Sequence, residues 1–169
     1  DYLMDEVWQH QSPQIQFFLL QTAVLDELYA PLCARLLTAA AGPERSGQSL
    51  ASTADCQAIL ETLERTNLFI IPLDDARQQY RYHHLFADLL YQRLLRNDSN
   101  VVSELHKRAS KWHENNGYLS SSIDYAISAE DFERAARLLG QVSDNDWQHG
   151  KRTKLFRWFE KIPIEYYMD

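Results

Sequence analysis

The sequence predicts a mainly α-helical protein, in which a winged-helix domain with one small β-hairpin is followed by tetratricopeptide-like helical hairpins. Three observations support this fold class. Apolar residues recur every three or four positions along most of the 169 residues, which is the period of an amphipathic helix. Only 5 Gly and 5 Pro are present, too few for the turns of a many-stranded sandwich or barrel. One short segment instead alternates with the two-residue period of a strand, and predicted helices flank it.

The part of the chain before this segment is predicted to contain several short helices. Residues 1–37 keep the helical period and predict three or four helices; Pro13 and Pro31 each mark a start, because proline fits the first helical turn. Residues 41–52 contain Gly, Pro and Ser without a periodic pattern, so they are predicted to form a loop. A further helix is predicted from about residue 53 to residue 66.

Residues 68–82 predict the β-hairpin. The run 68–73 is rich in β-branched and aromatic residues, two aspartates follow as a turn, and residues 80–82 alternate again. Pro72 has no amide hydrogen for a ladder hydrogen bond, so its strand is predicted at the edge of the sheet. The next helix is predicted to begin at the two histidines after the hairpin. Its inner face is predicted to consist of Leu85, Phe86, Leu89, Leu90 and Leu94.

The remaining sequence predicts helix after helix. We therefore predict a winged-helix-type domain at residues 1–98 and the start of a helical-repeat arm at residues 99–169. Small residues such as Ala109 and Ala126 stand beside bulky ones such as Trp112 at the spacing of helix–helix contacts, a mixture typical of tetratricopeptide-like stacking. The predicted helices of the arm cover residues 101–115, 121–129, 132–142 and 154–162.

The composition argues against several classes of protein. Lys+Arg 17 against Asp+Glu 24 gives a net charge of −7, so the segment is not expected to bind nucleic acid directly. No run approaches the roughly 18 apolar residues of a membrane span, so no membrane contact is expected. Two cysteines are too few for a disulfide framework or a zinc cage, which fits a reducing, cytoplasmic setting. Because the chain opens within an amphipathic pattern and without an initiator methionine, we expect it to be a segment of a longer protein.

The pair His83-His84 is the most distinctive polar feature of the sequence. Two imidazoles stand where a predicted strand meets a helix, and the N-terminal amides of a helix favour anions, so a phosphate site is one interpretation. The other interpretation is structural: one histidine is a partly buried, hydrogen-bonded residue of the wing, and the other is a solvated residue of the first helical turn. The residues themselves leave both interpretations open.

No catalytic residue and no metal site are predicted. Cys33 and Cys56 lie in apolar periodic stretches, so they are predicted to be small core residues rather than nucleophiles. The phosphate-loop motif G-x-x-x-x-G-K-[S/T] does not occur, so the segment is not expected to be an enzyme or to bind a nucleotide by itself. The remaining histidines are His10, His106, His113 and His149. His106 and His113 are seven residues apart on one predicted helix, but no carboxylate or thiolate ligand stands at a supporting spacing, which argues against zinc.

Six ordered motifs carry a resemblance that covers nearly the whole chain. They read FFLLQTAVLD at 17–26, PLC at 31–33, LERTNLFIIPLD at 63–74, YRYHHLF at 80–86, LHKRASKW at 105–112 and DFERAARLL at 131–139. Together they resemble the MalT-type, large ATP-binding regulators of the LuxR family. In that family a nucleotide-binding domain with a phosphate loop precedes a winged-helix domain, a helical-repeat sensor arm and a C-terminal helix-turn-helix that binds promoters.

The resemblance implies a regulatory role for the segment. It would be the winged helix and the beginning of the arm of a signal-transducing (STAND) ATPase that activates transcription. The implied partners are the upstream nucleotide-binding domain of the same chain, further protomers in the active homo-oligomer, and a small-molecule inducer at later arm repeats. With ADP the winged helix would pack onto the nucleotide domain in a closed monomer, while ATP and inducer would release it. No cofactor is expected within the segment itself; ATP and ADP belong to the full-length protein.

The resemblance also bears on the histidine pair. In related signalling ATPases, the winged-helix histidine that opens the last helix touches the phosphates of ADP. By position this residue is His83, which the resemblance therefore implies as the nucleotide contact. The alternative for the whole segment is a tetratricopeptide-like protein-interaction scaffold, in which the winged helix serves only as a cap.

Overall fold

The computed structural model describes residues 2–40, 52–142 and 152–167. The chain forms two compact units, Asp1–Val102 and Ser103–Asp169. The predicted domain boundary at residue 98 lies four residues before this division. Of the loop predicted at 41–52, all but Ser52 lies outside the described residues.

The first unit is built mainly from helices. Ser12 caps α2 by accepting the Ile15 amide hydrogen at 3.3 Å, and Ser52 caps α4 by accepting the Asp55 amide hydrogen at 3.0 Å. Asn67, at φ 55°, ends α4, because this conformation lets the next amide bond back to the last turn of the helix. The helices are α1 (Tyr2–Gln9), α2 (Pro13–Thr22), α3 (Ala30–Ala40), α4 (Thr53–Arg65) and α5 (His84–Asn97), and α6 (Ser99–Asn115) begins in this unit.

The sheet of the first unit has three strands, β1 (Leu28–Tyr29), β2 (Ile70–Pro72) and β3 (Gln79–Tyr82), in the order β1-β3-β2. Strands β2 and β3 form the predicted antiparallel hairpin, and Pro72 lies on an edge strand, as predicted. Strand β1 is an addition to the two strands predicted. It pairs antiparallel with β3 through Leu28 opposite Tyr80, a partner too distant in sequence for a local pattern to indicate.

The hairpin is tied to α4 by one carboxylate. Glu64 accepts a hydrogen bond from Arg77 Nε at 2.9 Å and another from the Tyr80 hydroxyl at 3.3 Å. Gln57 Nε2 of the same helix donates to the Arg77 carbonyl oxygen at 3.0 Å. Sequence positions that are far apart therefore converge on one face of α4 and fix the hairpin against it.

The core of the first unit lies between these helices and the sheet. In α5, Phe86, Leu90 and Leu94 are buried at positions one turn apart. Leu85 is 61% exposed, so its predicted place on the inner face is wrong: it stands one residue away from the buried stripe. The fully buried side chains of this unit include Phe18, Leu19, Leu28, Leu32, Leu36, Leu60, Leu63, Tyr80 and Leu90.

The second unit comprises the rest of α6, α7 (Leu119–Ser128), α8 (Phe132–Leu139), α9 (Arg152–Lys161) and a 3-10 helix (Ile164–Tyr167). Its core contains Ile123, Ala126, Ala135, Leu138, Leu155, Trp158 and Ile162. The helix predicted over 132–142 ends earlier, at Leu139, where Gly140 donates its amide to the Ala136 carbonyl at 3.1 Å. The predicted helical-hairpin pattern is thus present, with α7 packed against α8.

Small polar residues allow the helices of this unit to approach closely. Ser110 of α6 and Ser122 of α7 are fully buried, and each hydroxyl donates to the carbonyl oxygen of the other residue at 2.8 Å. This reciprocal pair satisfies polar groups that would otherwise be buried without partners. The indole of Trp158 is likewise satisfied, because its Nε1 donates to Asp124 Oδ1 at 2.7 Å and so joins α9 to α7.

One glutamate joins α6 to α8 in the second unit. Glu114 accepts hydrogen bonds from Arg134 and from Arg137, the latter at 3.0 Å. The Arg134 guanidinium also donates through Nε to the Ser110 hydroxyl at 3.1 Å. These hydrogen bonds lower the pKa of Glu114, with the Arg137 side-chain hydrogen bond the largest cause.

Candidate functional site

The histidine pair lies where β3 passes into α5. His83 is the N-cap of α5, with φ −58° and ψ 136°, and its carbonyl oxygen accepts the amide hydrogens of Phe86 and Ala87 at 2.9 Å each. Its side chain makes no capping hydrogen bond to the helix. His83 therefore caps the helix with its backbone carbonyl group, and its side chain takes no part in the capping.

Tyr82 fixes the end of β3 immediately before this pair. The side chains of β3 alternate between exposed and buried, and Tyr82 points into the core at 4% exposure. Its hydroxyl lies 2.7 Å from Thr22 Oγ1, and its ring meets Phe86 edge-on at 5.8 Å. Burial raises the pKa of this phenol, so it stays neutral and serves as an anchor rather than as an acid or base.

The two imidazoles lie close together at the start of the helix. Their ring centroids are 4.4 Å apart, with His83 half-buried and His84 exposed. The first turn of α5 contains no acidic residue. Because a helix N-terminus carries partial positive charge, two imidazoles at this position form a surface that suits an anionic oxygen. Such a surface can bind and orient a phosphate by hydrogen bonding.

The other histidines do not join this pair. His10 lies just after α1, where its Nδ1 is 2.6 Å from the Glu6 carbonyl oxygen. His106 and His113 are buried in the second unit, and both rings lie against Tyr125 of α7. Burial lowers the pKa of His106. His149 lies outside the described residues.

The remaining candidates from the sequence are structural. Cys33 and Cys56 are buried, as predicted for small core residues. Burial raises the pKa of both thiols, that of Cys56 to about 11, so neither is an activated nucleophile. Within residues 2–40, 52–142 and 152–167, no group of three or more His, Cys, Asp or Glu side chains is placed to hold a metal ion. None of the helices described is long and apolar enough to cross a bilayer.

Surface cavities border the described residues of the second unit. One, of about 290 Å³, lies beside the turn between α6 and α7 and is bordered by Tyr118 and Trp158. Another, of about 650 Å³, is a groove between α8 and the 3-10 helix, lined by Phe159, Tyr166 and Arg137 among others. Glu114 engages the Arg137 guanidinium, and the groove also presents the carboxylates of Glu133 and Glu165.

Sequence comparison identifies the first unit. A family model described as the MalT winged helix domain matches residues 4–102, the region that holds the hairpin and the histidine pair. The chain belongs to the MalT winged helix domain family. This assignment confirms the resemblance stated from the six motifs.

Curated proteins extend the similarity past the winged helix. The chain is 34% identical over 163 residues, 96% of its length, to the serine/threonine-protein kinase PknK of Mycobacterium tuberculosis. It is 30% identical over 165 residues, 98% of its length, to the HTH-type transcriptional regulator MalT of Serratia proteamaculans, and 31% identical over 163 residues to that of Yersinia pestis. The chain spans 13% of the length of the kinase and 16–17% of the length of these two regulators.

Proposed function

We propose that this MalT-type segment is the regulatory module of an ATP-dependent, LuxR-family transcriptional activator of the STAND type. The observation that carries the proposal is the MalT winged helix match over residues 4–102, together with similarity to MalT regulators along nearly the whole chain. The segment itself performs no chemistry. It couples nucleotide state and inducer binding to oligomerisation and promoter activation, in the cytoplasm, by docking on and leaving the upstream nucleotide-binding domain.

His83 is proposed as the residue that senses the nucleotide. It is the N-cap residue of α5, but its imidazole makes no capping hydrogen bond, and a second imidazole and the partial positive charge of the helix N-terminus lie beside it. In the closed state this imidazole donates a hydrogen bond to a phosphate oxygen of ADP held by the nucleotide domain. A hydrogen bond to a charged acceptor contributes about 1.5 to 3 kcal/mol, enough to move a two-state equilibrium roughly ten- to a hundredfold.

The test uses the full-length protein and measures both ADP release and transcription without inducer. His83→Ala is expected to speed ADP release and to raise inducer-independent activity, because it removes a contact made only in the closed state. His84→Ala is the matched control: the same substitution one residue on, at an exposed position, should change both quantities less. If His83→Ala left ADP release and basal activity unchanged in a folded protein, His83 would be a structural residue of the wing.

The gene offers a second test of the whole proposal. A G-x-x-x-x-G-K-[S/T] motif upstream of the segment and a helix-turn-helix downstream of it are both expected. Without them, the tetratricopeptide-like interaction scaffold becomes the better explanation.

A second candidate follows from the similarity to PknK. The 34% identity to this kinase extends over 96% of the chain, so the same module could regulate a protein kinase instead of a promoter-binding domain. A kinase catalytic domain encoded in the same gene would favour this candidate. Phosphotransfer to a serine or threonine substrate by the full-length protein would then be the activity that the module controls.

A further inference from the structure

Phe69 combines two properties that conflict locally. Its φ of 52° lies in the left-handed region, which bulky side chains rarely adopt and which glycine adopts without strain. Its ring nevertheless stacks on Phe86, with centroids 5.3 Å apart and planes at 28°. Glycine at this position would relieve the backbone but lose the ring contact. The position therefore keeps an aromatic ring in spite of a strained backbone, and strained residues cluster at functional sites.

The backbone and the ring of Phe69 both contact residues at the beginning of α5. Its carbonyl oxygen accepts the amide hydrogen of His83 at 2.7 Å. Its ring lies on Phe86, which is 4% exposed and whose own amide donates to the His83 carbonyl oxygen at 2.9 Å. The peptide groups on both sides of His83 are thus held, one directly by Phe69 and the other through Phe86.

We propose that Phe69 is a positioning residue, whose backbone and ring together set the direction in which the His83 imidazole points. The inference rests on the proposed function, because positioning matters only if His83 contacts ADP. Since the imidazole makes no capping hydrogen bond, its direction depends on the backbone of His83. Loss of the Phe69 contacts would let the N-cap rotate and move the imidazole away from the phosphate.

The experiment measures the dissociation rate of fluorescently labelled ADP from the full-length protein. Phe69→Gly is expected to raise the rate about fivefold or more, because the ring contact is lost and the backbone at position 69 is no longer restrained. Phe69→Tyr should keep the slow dissociation rate of the wild type, since the side chain is 36% exposed and leaves room for a hydroxyl. Leu73→Ala is the matched control: Leu73 is 40% exposed in the same hairpin segment, and no change is expected.

A double variant separates positioning from a general loss of stability. If Phe69 acts through His83, then Phe69→Gly added to His83→Ala should leave the rate within about twofold of His83→Ala alone. Multiplication of the two effects would overturn the inference, as would an unchanged rate in Phe69→Gly while His83→Ala is fast. An unchanged rate in His83→Ala would instead reject the proposed contact between His83 and ADP. Should Phe69→Gly not fold by circular dichroism, Phe69→Leu takes its place with an expected rise of about threefold.

Discussion

Replacing Glu114 by Gln tests whether one carboxylate holds α6 to α8. The substitution keeps the size and one acceptor oxygen of the side chain but removes the charge that faces Arg134 and Arg137. Both arginines remain, so the loss in the free energy of unfolding measures how much the charge of Glu114 strengthens its hydrogen bonds to them. Glu104→Gln is the matched control on the same helix, because Glu104 pairs with Arg108 along α6, at 2.9 Å.

The magnitude follows from how exposed each partner is. The side chains of Arg134 and Glu114 are 16% and 25% exposed, so their hydrogen bond belongs to the partly buried class. Arg137 is the largest cause of the lowered pKa of Glu114, but its side chain is 49% exposed, so solvent screening reduces its contribution to stability to about 0.5 kcal/mol or less. We expect Glu114→Gln to lower the free energy of unfolding by about 1.5 kcal/mol. In a unit of this size, such a loss corresponds to a fall in Tm of about 6 to 12 °C. Glu104 is 53% exposed, and its variant should lose at most about 0.5 kcal/mol.

The assay is urea unfolding of residues 1–169, monitored by circular dichroism and repeated at several pH values. Because the pKa of Glu114 is lowered in the folded state, its contribution is fully present above the unfolded-state pKa of about 4.3 and is lost as the pH falls through the folded value. The difference between wild type and Glu114→Gln should therefore be full at pH 7 and shrink below about pH 4. Equal losses for the two variants at pH 7, or a difference that persists unchanged at pH 3, would refute this account.

Three further predictions concern the chain by itself. Tyr82→Phe should lower the free energy of unfolding, measured in urea titrations, by about 1 kcal/mol, because the hydrogen bond between the Tyr82 hydroxyl and Thr22 is lost. Thr22 still donates to the Phe18 carbonyl oxygen at 2.8 Å, which limits the loss, and a stabilised variant would contradict this prediction. Titration calorimetry of residues 1–169 with ATP or ADP should give no binding, since the sequence lacks a phosphate loop, and micromolar affinity would disprove that expectation. The same chain should give no salt-sensitive mobility shift with DNA, because its net charge is −7; a shift at low salt that disappears with added salt would count against it.

Local patterns predicted the parts of the fold that local physics determines. The hairpin follows from two-residue alternation and Pro72. Helices α4 and α6 end at Arg65 and Asn115, each two residues before a residue with positive φ, Asn67 or Gly117. Strand β1 was not predicted, because its two residues sit within an apolar helical pattern and pair with residues about fifty positions later. Its existence depends on tertiary contacts, which no local period reports.

The histidine pair could be singled out from sequence, but the residues that support it could not. His83 stands at a strand-to-helix junction that the pattern predicts, so a special position was evident. The left-handed backbone of Phe69 has no sequence signal, because a phenylalanine in an apolar run predicts ordinary strand geometry. Likewise, no local pattern pairs Glu114 with Arg134 and Arg137, because these partners lie on a different helix, α8.

Because both thiols are buried, their reaction with a thiol reagent reports local opening of the first unit. Cys33 and Cys56 are 0% exposed and are the only cysteines in the sequence, and both belong to the first unit. A thiol reagent can reach them only when α3 or α4 leaves the core, so labelling kinetics report the local opening free energy of that unit while the second unit stays silent. In the full-length protein, comparing labelling rates with ADP and with ATP would show whether nucleotide exchange loosens the interior of the winged helix or moves it as a rigid body.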